Sequence, residues 1–171
     1  VYGVKDVKIL DGGLPKWLAE GRPTDDREVR RPPRHFSARM DHSLVRNIED
    51  VRKALADAVQ VVDARPADRF RGEAPEPRAG VKSGHMPGAT NVPFAALVAD
   101  GKLKSPEQLT KVFGDAGIDP AKPIITSCGS GVSAAILWLA FETLGSSKLG
   151  LYDGSWAEWG ARDDTPIATG I

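Results

Sequence analysis

The stretch from residue 123 to residue 144 constrains the fold most. Pro123, Ile124, Ile125 and Thr126 form a short apolar run, the signature of a buried strand. Residues 134–144, Ala-Ala-Ile-Leu-Trp-Leu-Ala-Phe-Glu-Thr-Leu, read as a helix. Between them lies Ser127-Cys128-Gly129-Ser130-Gly131-Val132-Ser133, which contains the chain's single cysteine. A strand, a glycine-containing loop and a helix put Cys128 at the strand's C-terminal end, just before the helix N-terminus. Backbone N–H groups of the loop and first helical turn have no partner within the helix, and the helix dipole favours negative charge there. The glycines allow turns that aim several N–H groups inward. A sulfur in this place is expected to be held as the nucleophilic thiolate. A lone cysteine is often only a small buried hydrophobe. The Gly-Ser-Gly loop opening a helix favours the reactive reading.

The rest of the chain alternates strand and helix patterns. Residues 4–10 alternate in polarity and read as a strand, followed by a turn at Asp11 and Gly12 and a short helix ending at Glu20. Residues 36–40 are a candidate strand. Ile48, Val51, Leu55 and Val59 recur at helical spacing behind a cap at Ser43 or Asn47. Residues 60–65 read as a buried strand, 67–70 as a helical turn, 71–84 as a polar loop and 89–92 as a short strand. Residues 93–98 and 106–114 read as helices, the second capped by Ser105, and 148–152 as a last strand. This alternation predicts an α/β fold with a parallel sheet, whose ligands bind beyond the strand C-terminal ends. Asp63 to Arg65, Cys128, and Asp153 with Gly154 all fall at such ends.

Composition closes off several functions. The 171 residues carry 23 basic and 23 acidic side chains, so the formal net charge is zero. That gives no footprint for nucleic acid or an anionic membrane. The basic cluster Arg27, Arg30, Arg31 and Arg34 sits beside Asp25, Asp26 and Glu28, and the proline-rich stretch 24–35 reads as a solvated linker. No run has transmembrane length, and the first residues lack the apolar core of a signal peptide. One cysteine leaves no internal disulfide and suits a reducing, cytoplasmic setting. His35 and His42 show no metal-ligand spacing, and neither metal nor cofactor is expected.

There is also a partial repeat. Asp11, Gly12 and Trp17 match Asp153, Gly154 and Trp159 at the same internal spacing. The offset of about 140 residues is the size of a domain. Residues 1–23 are therefore expected to be the tail end of a preceding, mostly absent domain, and 36–171 the whole of a second.

Taken together, the motifs identify a family. They are Asp63-Ala-Arg65, Arg69-Phe-Arg-Gly72, Glu76-Pro-Arg78, Gly84-His-Met-Pro-Gly-Ala89, Cys128-Gly-Ser-Gly-Val-Ser133 and Asp153-Gly-Ser-Trp156. The set resembles the catalytic second domain of two-domain rhodanese-type sulfurtransferases over residues 36–171. The resemblance implies a rhodanese-like domain with a five-stranded parallel sheet flanked by helices on both faces. It implies a persulfide mechanism, in which a small-molecule donor passes sulfur to Cys128 and a thiol or cyanide acceptor removes it. A thioredoxin-like protein is one candidate acceptor, and the chain's own N-terminal rhodanese domain is a further expected partner.

Thiosulfate-preferring members of the family carry Arg and Lys in the loop. Gly129 and Ser130 stand there instead, as in the mercaptopyruvate-preferring branch. Thiosulfate is a dianion that wants cations beside the thiolate, whereas 3-mercaptopyruvate has one carboxylate away from its sulfur. By the family pattern Arg69 and Arg78 hold that carboxylate, since an Arg fork matches it in bidentate fashion.

In this reading Cys128 is the nucleophile. The N–H groups of Gly129, Ser130, Gly131, Val132 and Ser133 cradle the sulfur. Ser130 either relays a proton or is simply a small residue at the helix start, and Ser133 caps the loop. Asp63 and Arg65 are expected to form a structural ion pair, and His85 a fold-supporting hydrogen bond. Asp153 and Trp156 are expected to shape the pocket wall, with Trp138 in the core. A first domain normally packs against such a site and contributes polar residues, so the cleft is expected to be half open and turnover of mercaptopyruvate slow. The alternatives are thiosulfate as main donor, a non-enzymatic binding module, and a Cys-dependent phosphatase. The phosphatase would need Arg six residues after the cysteine, where Ala134 stands.

Overall fold

The computed structural model describes residues 1–4 and 6–171. Helix α1 (Gly13–Ala19) is followed by irregular chain up to a 3₁₀ turn, His42–Leu44. Then come β1 (Val45–Arg46), α2 (Ile48–Ala56), β2 (Gln60–Asp63), α3 (Ala67–Phe70) and β3 (Thr90–Asn91). A second 3₁₀ turn, Phe94–Leu97, leads into a hairpin of β4 (Val98–Ala99) and β5 (Lys102–Leu103). The chain ends with α4 (Pro106–Asp115), β6 (Ile124–Ser127), α5 (Ala134–Thr143), β7 (Leu149–Tyr152) and α6 (Ser155–Trp159).

Five strands form one parallel sheet in the order β1-β7-β6-β2-β3. The alternation of side chains along each strand splits the core in two. Val62 and Ile124 face a layer containing Leu109 and Phe113 of α4 and Leu137 and Phe141 of α5. The Phe113 and Phe141 rings stack at 4.1 Å. Val61 and Ile125 point the other way, toward Val51 of α2 and Trp156 and Trp159 of α6. Helices therefore cover both faces, as expected of near-continuous apolar strands.

Local sequence explains the helix starts. Asn47 accepts from the Asp50 N–H at 2.9 Å while the Asp50 carboxylate accepts from the Asn47 N–H at 3.0 Å, a reciprocal cap at α2. Ser105 and Gln108 repeat the device at α4, with Pro106 at the first helical position.

Two expected strands are absent among the described residues. Val4 and residues 6–10 are irregular, and Lys5 lies outside the described residues. Residues 36–40 are also irregular, and the sheet begins at Val45. A strand exists through its ladder. Val7 and Ile9 are 69% and 70% exposed and touch no sheet, and Phe36 is likewise exposed. The hairpin β4–β5 replaces the end of the expected helix at 93–98. Its turn has Asp100 and Gly101 at φ 52° and 72°, the left-handed pair a two-residue hairpin requires.

The repeat has a structural counterpart. The Trp17 indole N–H donates to the Pro23 carbonyl at 2.9 Å, and the Trp159 indole N–H donates to the Pro166 carbonyl at 2.8 Å. Each tryptophan lies on the short helix after its Asp-Gly pair and ties down the chain that leaves the helix.

Candidate active site

The sheet order reverses direction between β2 and β6. The chain moves from β2 outward to β3, and from β6 the opposite way to β7, so the segments leaving β2 and β6 splay apart. Asp63 and Ser127 are paired across this seam, and the Ala64 N–H donates to the Ser127 carbonyl at 2.9 Å. A pocket of about 340 Å³ opens just beyond. Its walls hold Arg65, Arg69, Glu76 and Arg78 from the first segment and Cys128, Gly129, Ser130 and Ser133 from the second.

Six of the eight residues expected at the site meet here: Cys128, Ser130, Arg69, Arg78, Gly129 and Ser133. Gly131 and Val132 do not line it. Gly131 is buried against Asp153, and Val132 is 77% exposed at the loop tip. Cys128 is nearly sealed in, at 1% exposure, with the Ser130 N–H donating to its Sγ at 3.4 Å.

The rest of the loop is held from outside. Ser155, at the start of α6, is fully buried, and its Oγ accepts from the Cys128 N–H at 3.2 Å and the Gly131 N–H at 3.0 Å. Its hydroxyl donates to the Tyr152 carbonyl at 2.8 Å. The Gly131 N–H, expected to face the sulfur, is thus committed to Ser155. Ser155 itself sits at φ 50°, an unfavourable backbone for a residue with a Cβ, maintained by these three bonds. Backbone bonds from Trp156 N to Cys128 O and from Ala157 N to Gly129 O, 2.9 and 3.0 Å, complete the join between loop and α6.

Ser133 does not cap α5 through its side chain. It already has helical backbone angles, φ −75° and ψ −15°, whereas a capping side chain works from an extended residue.

On the other wall, Arg65 is the centre of a buried network. Its guanidinium donates to Asp63 at 2.9 Å, to Glu76 Oε1 at 2.8 Å and to the Gly84 carbonyl at 2.8 Å. It lies over the Trp156 ring at 4.4 Å. Asn91 Nδ2 donates to the carbonyls of Asp63 and Arg65, both at 2.9 Å, and fixes the turn between them. The expected Asp63–Arg65 pair is present and extends further, through Glu76, to Arg69. The Arg69 Nε donates to Glu76 Oε1 at 3.2 Å and its Nη2 to Glu76 Oε2. This bond to the Glu76 carboxylate holds the Arg69 guanidinium above its ordinary pKa. A Cβ built on Gly129 would lie 3.3 Å from Arg69 Nη2, so the arginine rests on the bare glycine beside Cys128.

His85 behaves as expected. Its Nδ1 is 2.8 Å from the Phe70 carbonyl, and its ring stacks on Phe70 at 3.9 Å. The expected pocket wall of Asp153 and Trp156 is displaced. Asp153 packs behind Gly131, and Trp156 lies beneath Arg65 with its indole N–H on the Lys82 carbonyl, leaving Ala157 at the surface of the pocket. Trp138 is half-buried against the core and borders a separate apolar cleft with Tyr2 and Met40. Glu76 and Ser155 stood inside recognised motifs without an assigned role.

Residues 47–162 match the family described as the rhodanese-like domain. The chain belongs to that family. This rhodanese domain is 44% identical over 167 residues to the 3-mercaptopyruvate sulfurtransferase of Escherichia coli K12, covering 97% of this chain and 59% of that protein. It is 41% identical over 162 residues to the thiosulfate sulfurtransferase of Rattus norvegicus, covering 93% of this chain and 54% of that protein. The crystal structure of SseA, a 3-mercaptopyruvate sulfurtransferase from Escherichia coli, superposes with a TM-score of 0.80 at 42% identity, over 91% of this chain and 58% of SseA. The chain thus spans somewhat over half the length of these relatives.

The tie between loop and α6 in this rhodanese domain can be tested directly. Ser155→Ala removes the acceptor of two buried N–H groups, each costing about 1–3 kcal/mol when left unpaired. The variant is expected to lose about 2 kcal/mol of stability, read as a lower urea midpoint at unchanged m-value. Its Cys128 is expected to react faster with iodoacetamide, because a sealed sulfur becomes reachable.

Proposed function

We propose that the chain is the catalytic domain of a sulfurtransferase that takes sulfur from 3-mercaptopyruvate. The observation that carries this reading is the make-up of the pocket. Cys128 sits in a loop with no charged side chain, while Arg69 and Arg78 stand on the opposite wall. Identity alone separates the two activities named among the relatives poorly, at 44% and 41%. The uncharged Gly129-Ser130 pair favours a donor whose anionic group lies away from the transferred sulfur.

The chemistry has two halves. The ionised Sγ of Cys128 attacks the donor's sulfur, an S–S bond forms and the donor's C–S bond breaks. The electron pair of that bond leaves as the enolate of pyruvate, which takes up the proton the donor's thiol gives up. The products are pyruvate and a persulfide anion on Cys128. Ser130, which lines the pocket with Cys128, is the proposed relay of that proton through its hydroxyl. Arg69 and Arg78 hold the carboxylate so that the sulfur faces Cys128. In the second half, cyanide or an acceptor thiolate attacks the outer sulfur and the Cys128 thiolate departs. A small protein of thioredoxin type fits as thiol acceptor, and a reducing, cytoplasmic setting fits a catalytic domain whose single cysteine is the nucleophile. We further propose that residues 1–23 close a preceding rhodanese domain. The matching bonds of Trp17 and Trp159 support this.

Intact-mass measurement after incubation with each donor tests the reading. Mercaptopyruvate is expected to add one sulfur atom to the wild-type chain and to do so faster than thiosulfate. Faster loading by thiosulfate would reverse the donor assignment, and no adduct from either donor would refute sulfur transfer.

A further inference from the structure

The charged groups of the pocket form a chain in space: Asp63, Arg65, Glu76, Arg69. Asp63 is fully buried, and the side chains of Arg65 and Glu76 are 1% and 4% exposed. Arg69 is 23% exposed and faces the pocket. Two carboxylates alternate with two guanidinium groups, so the network is neutral as a whole. Asp68, on the same turn as Arg69, is exposed and its carboxylate accepts from the Arg69 N–H. Arg78 is the remaining cation on the wall. It is exposed and, among the described residues, has no carboxylate partner.

We propose that Glu76 sets the valence of the anion the pocket accepts. This deepens, and rests on, the sulfur-transfer reading. The Glu76 carboxylate grips Arg69 from behind through Nε and Nη2, cancels its charge at short range and orients it against Gly129. Arg69 then serves as an oriented pair of donors with little surplus charge, and Arg78 supplies the single uncompensated positive charge. A monoanion neutralises that pocket. A dianion such as thiosulfate leaves one negative charge over, beside the Cys128 thiolate. Because Glu76 is buried, water screens it poorly, and its charge is felt across the pocket. Donor choice is therefore shared between the uncharged loop and a buried carboxylate that need not touch the donor's sulfur. Glu76 is a positioning residue, acting through Arg69.

The test compares second-order rates of sulfur loading onto Cys128 by thiosulfate and by mercaptopyruvate in the full 171-residue chain at low salt. Glu76→Gln keeps size and one acceptor but removes the charge. It is expected to raise the thiosulfate-to-mercaptopyruvate rate ratio by about tenfold, the effect of one unit charge at pocket distances. The gain is expected to shrink as salt is added. Glu76→Asp keeps the charge and is expected to keep the wild-type ratio, whatever happens to the absolute rates. A purely structural role would slow both donors alike and leave the ratio fixed in every variant. Should Glu76→Gln fail to fold, the exposed Arg78→Gln supplies the opposite change, and the ratio is expected to fall about tenfold. A ratio unmoved in the folded Glu76→Gln, or in Arg78→Gln, overturns the inference while wild-type loading by mercaptopyruvate keeps the donor reading intact. A wild-type chain that mercaptopyruvate cannot load would sink both.

Discussion

Cys128→Ser is expected to be fully folded and wholly unable to accept sulfur from any donor. The side chain is almost completely enclosed and belongs to the same core cluster as Val62, Ala134 and Leu137 on that face of the sheet. Serine is nearly isosteric, so the packing survives, and its hydroxyl lies within reach of the Ser130 N–H that now meets sulfur. An alkoxide is far harder to form than a thiolate, and an oxygen–sulfur bond offers no persulfide. The comparison is a donor-dependent mass gain of one sulfur in wild type against none in the variant, with matching urea midpoints. Because the chain has one cysteine, any sulfur adduct surviving in the variant would place the chemistry elsewhere and remove the basis of the proposed mechanism.

Arg65→Ala is expected to give the largest loss of stability of any single change near the site, about 3–5 kcal/mol. Truncation leaves the buried carboxylates of Asp63 and Glu76 facing each other without their shared cation, and the Gly84 carbonyl without its donor. It also opens a void over the Trp156 ring. A domain stable by about 5–15 kcal/mol in total would be close to its limit. Arg65→Lys keeps one charge but cannot reach three acceptors at once, so it is expected to recover only part of the loss. Chemical denaturation measures both. A drop below about 1 kcal/mol for Arg65→Ala would mean that the network is as weak as an exposed ion pair.

The strand–loop–helix unit around Cys128 was legible because each part carries its own signal. Ile124 and Ile125 are apolar on both faces of the sheet, the glycines mark the turn, and α5 runs ten residues without glycine or proline, half of them Ala or Leu. Gln60 to Asp63 is visible for the same reason. The stretch 4–10 misled because alternating polarity describes a surface, and only a neighbouring strand turns it into a ladder; the candidate strand at 36–40 likewise has no ladder among the described residues. Val45 and Arg46 went the other way: two residues hold too little pattern, yet they pair with Leu151 and Tyr152. The Asp100-Gly101 turn did carry a hairpin signal that the helical reading of 93–98 passed over. At the site, reactive and charged residues could be chosen by type. Beyond the Asp63–Arg65 pair, what could not be read was who holds whom. Ser155 reaches a loop 27 residues before it, and Glu76 sits between two arginines 11 and 7 residues away, relations that only the folded chain creates.

The pairing of Asp63 with Ser127 also governs when the site can come into being. The two walls lie 64 residues apart in the chain (127 − 63 = 64), and closing a segment of that length costs about 4 kcal/mol of chain entropy before any contact is made. No local fragment can offset that, since β2 and β6 are each four residues long. The seam is therefore expected to close after the helices and short turns, which span only a few residues. Until it zips, Cys128 and the arginines of the opposite wall are not brought together. On the proposed sulfur-transfer reading, a nascent or partly unfolded molecule is expected to load no sulfur, and donor-dependent persulfide on Cys128 would report completion of the native sheet.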